Sequence, residues 1–259
     1  MRSFTALLLT VVTCGVAAAE IRKEAVEYKF DGVTLKGEVT YDDALAGKLP
    51  GVLVVHEWWG LNDYAKGRAT EIAKLGYVAF ACDMYGDGKT TPHPEDATKM
   101  SGDVRKNIDV WRGRAKAALE VLQKHAKVDA TKLAAIGYCF GGSTALQLAY
   151  SGADLKAVAT FHAALPPVTA AQAKAIKAKV LVCHGADDIF IKEEAIEKFK
   201  DALNAAKVSL EFEEYQGAVH SFTVPDAGKH MIKGMAYNKS ADEKSWASMK
   251  SLFKGAFGK

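Results

Sequence analysis

The sequence predicts an α/β fold, a mainly parallel central sheet covered by helices on both faces. Three observations predict it. From residue 51 onward, short apolar runs alternate with longer amphipathic segments, the order of parallel strands joined by crossover helices. The runs are uninterrupted, as in Val52-Leu53-Val54-Val55, the pattern of strands buried on both faces. The chain has 259 residues, of which 49% are hydrophobic and 25% charged. That is ordinary globular composition and length enough for one substantial core.

The elements follow in order along the chain. Residues 26–30 and 35–41 flank Asp31-Gly32, a hairpin signal. Residues 51–57 form the first buried strand. Asn62 or Asp63 can cap a helix running to about residue 75. A second buried strand covers 77–83, and a loop rich in Gly, Asp, Thr and Pro covers 84–94. Residues 95–125 read as mostly helical with a break near Gly102. Strands are then expected at 133–138, 155–161, 180–183 and 210–215, with helices at 141–150, 170–176 and 193–206 between them. A helix over 241–257 closes the chain. With no internal repeat, low-complexity segment or linker, residues 20–259 are expected to form a single domain.

The first residues read differently. Arg2 supplies a positive start, residues 6–16 are mostly apolar, and Ala17-Ala18-Ala19 precedes Glu20. This is the pattern of a secretory signal peptide spanning residues 1–19, too short to cross a bilayer as a helix. The expected location is therefore periplasmic or secreted. Cys14 raises the alternative of a lipidated start, which Thr13 before it fits poorly. The formal net charge is +3, which offers no reason to expect a nucleic-acid or membrane-surface partner. Beyond residue 19 three cysteines remain. Cys82 and Cys183 sit in apolar runs and read as small core hydrophobes, which leaves Cys139 to be explained.

In a parallel sheet, ligands bind outside the carboxyl ends of the strands. The residues to inspect are therefore Glu57, Asp83, Cys139, His162, Asp188 and the loop around His220. Gly137-Tyr138-Cys139-Phe140-Gly141-Gly142 joins a buried strand to a small-residue helix. It is a nucleophile elbow, with cysteine where serine is usual. The sharp turn needs small residues two positions either side, and the helix N-terminus behind the sulfur favours negative charge there. Asp188, in Gly185-Ala186-Asp187-Asp188, follows a late strand, and His220 lies after the last one. The order nucleophile, acid, histidine is that of the α/β-hydrolase fold.

These residues resemble the dienelactone hydrolase family. The resemblance rests on Cys139 in its elbow, Asp188 before Ile189-Phe190-Ile191, and His220 before Ser221-Phe222. It also rests on Glu57 after Val54-Val55-His56 and on Cys82-Asp83-Met84-Tyr85. It covers roughly residues 50–255. It implies hydrolysis of a small-molecule ester or lactone with no metal or organic cofactor. Cys139 would form a thioester, with His220 as base and then acid and Asp188 orienting its ring. The backbone N–H groups of Phe140 and Trp58 would hold the oxyanion. The family assigns the glutamate matching Glu57 a part in handling the proton of the resting thiol. Trp58, Trp59, Tyr85 and Phe222 would line the pocket, with Arg105 as a candidate carboxylate partner. Val224 stands four residues after His220, where enzymes acting on the classical dienelactone carry an arginine. Neutral short-chain esters or lactones are therefore expected to be preferred. The chain is expected to act as a monomer.

Two other classes share parts of the pattern. A non-catalytic small-ligand binding protein could use the same pocket. A thiol redox protein would also expose a reactive cysteine, but no Cys-x-x-Cys is present. His56-Glu57 does not begin a zinc-binding His-Glu-x-x-His, since residue 60 is glycine.

Overall fold

The computed structural model describes residues 20–258. The expected signal segment, residues 1–19 with Cys14, lies outside the described residues. A hairpin of β1 (Ile21–Phe30) and β2 (Val33–Asp42) turns at Asp31-Gly32. Both turn residues have positive φ, 49° and 74°, which is what a two-residue turn between twisted strands requires. β1 starts five residues before the apolar pattern suggests. As an edge strand with a single partner, it can carry exposed Arg22 and Lys23 without burying them.

The remaining strands are β3 (Leu49–Val55), β4 (Val78–Cys82), β5 (Val128–Tyr138), β6 (Ala157–Phe161), β7 (Lys179–Gly185) and β8 (Leu210–Tyr215). They join the hairpin in one eight-stranded sheet ordered β1-β2-β4-β3-β5-β6-β7-β8. β2 meets β4 antiparallel, and every pairing from β4 to β8 is parallel. β3 and β5 are neighbours although β4 comes between them in sequence. The chain leaves β3 toward one side of the sheet and β5 toward the other. A crevice opens where the two diverge, at their carboxyl ends.

The helices are α1 (Asp63–Lys74), α2 (Pro94–Lys106), α3 (Ile108–Lys124), α4 (Phe140–Tyr150), α5 (Ala170–Ala175), α6 (Glu193–Ala205) and α7 (Lys239–Phe257). A short 3₁₀ turn, Ala227–His230, was not foreseen. The long helical stretch breaks at Asn107, not at Gly102. The Asn107 side chain accepts from the N–H groups of Asp109 and Val110 and so starts α3. A Cβ at Gly102 would meet nothing within 4 Å, so that glycine imposes no break.

Alternate residues of β3 feed two cores. Leu53 and Val55 pack under α2, α3, α4 and α6, while Val52 and Val54 pack under α1 and α7. Burying each such side chain stabilises the fold by roughly 1.5–3 kcal/mol. Among the described residues, no helix is long and apolar enough to cross a membrane.

Candidate active site

β5 ends at Tyr138 and α4 begins at Phe140, so Cys139 alone makes the turn, with φ 51° and ψ −113°. For a residue with a Cβ this conformation costs about 1–3 kcal/mol and persists only where packing dictates it. The flanking glycines supply that packing. A Cβ on Gly137 would collide with the backbone of Gly141, and one on Gly141 with the carbonyls of Val55 and His56. Strand, helix and β3 thus approach closely, and the sulfur stands at the amino end of α4. That first turn holds no acidic residue and no side-chain cap, so its dipole faces the sulfur unopposed.

His220 is fixed by its backbone, which donates to Gly234 O at 3.1 Å and accepts from Ala236 N at 3.2 Å. Its Nε2 lies 3.1 Å from Cys139 Sγ and its Nδ1 2.7 Å from Asp188 Oδ2. The other oxygen of Asp188 accepts from the Phe190 N–H at 2.9 Å. Asp188 is buried, whereas its neighbour Asp187 is exposed. Burial works against a charged His220. The Cys139 sulfur and the Asp188 carboxylate outweigh it and raise its pKa to about 10. Cys82 and Cys183 are fully buried, and burial pushes both thiols up; neither contacts Cys139, His220 or Asp188.

Glu57 follows β3 and is only 2% exposed. Burial raises its pKa to about 7, against the opposing pull of His220 and of the Ser221 hydroxyl. That hydroxyl donates to Glu57 Oε1 at 3.1 Å. The expectation that Glu57 holds the proton of the resting thiol is therefore corrected in its geometry. The sulfur has His220 as its partner, and Glu57 has Ser221. Ser221, with φ 57°, turns its hydroxyl under the site while His220 faces the sulfur.

Phe140 is the first residue of α4, where the helix itself offers its N–H no acceptor. Trp58 follows Glu57 in the turn after β3, and the Tyr85 hydroxyl donates to its carbonyl at 2.9 Å. Tyr85, expected in the pocket wall, instead pins this turn. Above Cys139 and His220 is a pocket of about 220 Å³ walled by Trp58, Ala164, Phe190, Ile191, Ile232 and Met235, with Arg105 also reaching it. The Arg105 guanidinium stands 5.1 Å over the Phe140 ring. Two other expected wall residues point elsewhere. Trp59 is buried and stacks on His230 at 4.1 Å. Phe222 is fully buried against His162 and Tyr215. Val224 is likewise not part of the pocket wall. A larger cavity of about 500 Å³, between residues 165–168 and α6, is lined by none of Cys139, Asp188 and His220.

Asp83, marked by its strand-end position, organises a loop instead of reaching the site. Its carboxylate accepts from the backbone N–H groups of Lys36, Tyr85, Gly86 and Gly88 at 2.7–3.1 Å. His162 ends β6 behind His220, its ring 5.3 Å from that ring. Of the wall residues, Phe190 and Ile191 belong to the apolar stretch after Asp188, whereas Ile232 and Met235 had no distinguishing signal beyond being apolar.

Comparison with known proteins covers most of the chain. The model of the dienelactone hydrolase family matches residues 37–257. A solved structure called m3DLH is 41% identical, with a TM-score of 0.89 over 91% of this chain and 98% of its own. A dienelactone hydrolase-like promiscuous phosphotriesterase from metagenomic libraries is 40% identical, also with a TM-score of 0.89, over 92% of this chain and 99% of its own. A putative carboxymethylenebutenolidase of Aquifex aeolicus (strain VF5) is 27% identical, over 77% of this chain and 86% of its own.

Proposed function

The chain belongs to the dienelactone hydrolase family, and from that premise we propose that this hydrolase cleaves a carboxylic ester or lactone through Cys139, His220 and Asp188. The observation that carries the proposal is the continuous line Cys139 Sγ, His220 Nε2, His220 Nδ1, Asp188 Oδ2, with separations of 3.1 and 2.7 Å at its two contacts. His220 takes the thiol proton on Nε2, and the resulting imidazolium lies between thiolate and carboxylate. Sγ attacks the carbonyl carbon, and the N–H groups of Phe140 and Trp58 hold the oxyanion. Loss of one such donor costs about 3–4 kcal/mol of transition-state stabilisation. The intermediate collapses to a thioester as the leaving oxygen takes the proton from Nε2. Water then attacks the thioester while His220 accepts its proton, and the acid departs with the thiol restored.

Glu57 acts on this machinery from behind. Its carboxylate, when ionised, adds negative charge near His220 and favours the imidazolium. It touches neither sulfur nor substrate, so it is a positioning residue. The apolar walls of the pocket favour neutral short-chain esters or lactones over the classical dienelactone. Arg105 is the one guanidinium among the wall residues and would meet any anionic group. The 40% identical phosphotriesterase supports neutral phosphotriesters as a second substrate class at the same sulfur. We also propose that the chain is exported and cleaved before Glu20; intact mass of extracytoplasmic protein beginning at Met1 would refute this.

The test is hydrolysis of a p-nitrophenyl ester, a p-nitrophenyl dialkyl phosphate and a disulfide substrate by the wild type and Cys139→Ala. Ester turnover by the wild type, with a loss of at least about a thousandfold in the variant, is expected. Turnover of the disulfide alone would favour a thiol redox protein, and no turnover of any substrate a binding protein.

A further inference from the structure

Behind the triad runs a buried polar chain that the reaction above does not use. The titratable groups facing Glu57 are His162 from the end of β6, Tyr64 from α1, and His220 from the loop after β8, where Ser221 also contacts it. His162 is fully buried, and its backbone φ is 41°. Its Nδ1 faces Glu57 Oε1 at 3.8 Å and has no hydrogen-bond partner among the described residues. A buried polar atom left so is costly and calls for an account. On the other side of the ring, Nε2 lies 2.8 Å from Thr223 Oγ1. Thr223 Oγ1 lies 2.6 Å from the Tyr64 hydroxyl, which accepts from Arg68 Nε at 3.2 Å. Arg68 and Tyr64 are one turn apart on α1, and Asp242 of α7 holds the guanidinium at 2.5 Å.

The direction of the protons follows from the far end. A guanidinium can only donate, so Arg68 Nε–H points at the Tyr64 oxygen. The Tyr64 proton goes to the nearer of its two acceptors, Thr223 Oγ1 at 2.6 Å, rather than to the Thr223 carbonyl at 3.2 Å. The Thr223 proton then goes to His162 Nε2, which becomes an acceptor. Burial, with the nearby charges of His220 and Arg68, holds the His162 pKa well below its ordinary value. The ring therefore carries one proton, and the only place left for it is Nδ1, facing Glu57.

We propose that His162 is a positioning residue for Glu57, its tautomer fixed by Arg68, Tyr64 and Thr223 so that Nδ1–H supports the Glu57 carboxylate. At 3.8 Å the contact is longer than a hydrogen bond. The support is that of an oriented N–H dipole between two side chains that are 0% and 2% exposed, where such dipoles act strongly. The pH at which Glu57 ionises is thereby set in part from α1, none of whose residues lines the pocket. The inference deepens the reading of Glu57 given above and rests on it.

The experiment titrates the Glu57 carboxyl without substrate, by infrared difference spectroscopy, with Glu57→Gln identifying its band. Thr223→Val removes the hydroxyl at similar volume, Tyr64→Phe removes the next donor, and Thr223→Ser keeps the hydroxyl. Thr223→Val is expected to move the midpoint upward by about one pH unit. Tyr64→Phe should move it upward as well, and Thr223→Ser should restore the wild-type midpoint. A residue that merely fills space would alter melting temperature and leave the midpoint alone. An unmoved or lowered midpoint in the folded Thr223→Val and Tyr64→Phe proteins overturns the inference. Failure of the proposed role of Glu57 is read separately, as a pH profile of kcat/KM that Glu57→Gln leaves unchanged.

Discussion

Replacing Glu57 by glutamine should stabilise the protein, and by an amount that grows with pH. Glu57 is 2% exposed and its carboxyl is displaced by burial from 4.5 to about 7. The folded state therefore binds more protons than the unfolded state between those values, so stability falls as pH rises through that window. A displacement of about 2.5, at about 1.4 kcal/mol for each unit, gives about 3 kcal/mol lost by pH 7.5. Glutamine has the same shape, can accept from Ser221, and does not titrate. Urea unfolding of both proteins at steps from pH 4.5 to 7.5 gives the difference directly. Taking the difference removes the contributions of surface groups, which the substitution leaves unchanged. The variant should gain about 3 kcal/mol relative to wild type across the window. It should also lose ester turnover, since stability and function conflict at a buried charge. A stability difference that stays flat from pH 4.5 to 7.5, or shrinks, would refute the argument that Glu57 is a desolvated carboxyl.

The other expectations concern the triad and its surroundings. Asp188→Asn should lower kcat by about 10³–10⁴ through loss of the correct His220 tautomer, while Asp187→Asn should leave it within a few-fold; a larger loss at 187 would reverse the assignment. The profile of kcat/KM on a neutral ester should rise as Glu57 ionises near pH 7 and fall as His220 loses its proton near 10, and a profile without the alkaline limb would contradict the ion-pair account. Cys82→Ala and Cys183→Ala should each destabilise by about 1 kcal/mol through small cavities, with turnover per folded molecule unchanged in an ester assay.

Much of the fold was legible because a parallel sheet buried on both faces must be written as continuous apolar runs. That is why β3, β4 and β7 are plain in the sequence, while the polar starts of β1 and β5 are not. Arg22 and Lys23 in β1, and Asp129 in β5, are polar strand residues placed there by their pairing. The break at Asn107 had a readable signal in a capping asparagine, which an unconstrained glycine at 102 masked. Cys139, Asp188 and His220 were legible through their order and their positions at strand ends. Side-chain direction was not. Trp58 and Trp59 are adjacent and look alike in sequence, yet one walls the pocket and the other stacks on His230. Phe190, Ile191, Ile232 and Met235 come from loops, where no periodicity tells which face a residue takes. The His162–Thr223–Tyr64 chain joins three elements distant in sequence, and only folding brings their polar atoms within reach.

The central claim is that the sulfur of Cys139 carries the acyl group between two half-reactions. Rapid quenching of wild-type enzyme with a p-nitrophenyl ester, followed by intact and peptide mass spectrometry, tests it most directly. The account predicts one added acyl group, on the peptide containing Cys139, released by neutral hydroxylamine as a thioester is, and absent from Cys139→Ala. An acyl group on any other residue, or ester turnover by Cys139→Ala at the wild-type rate, would contradict it.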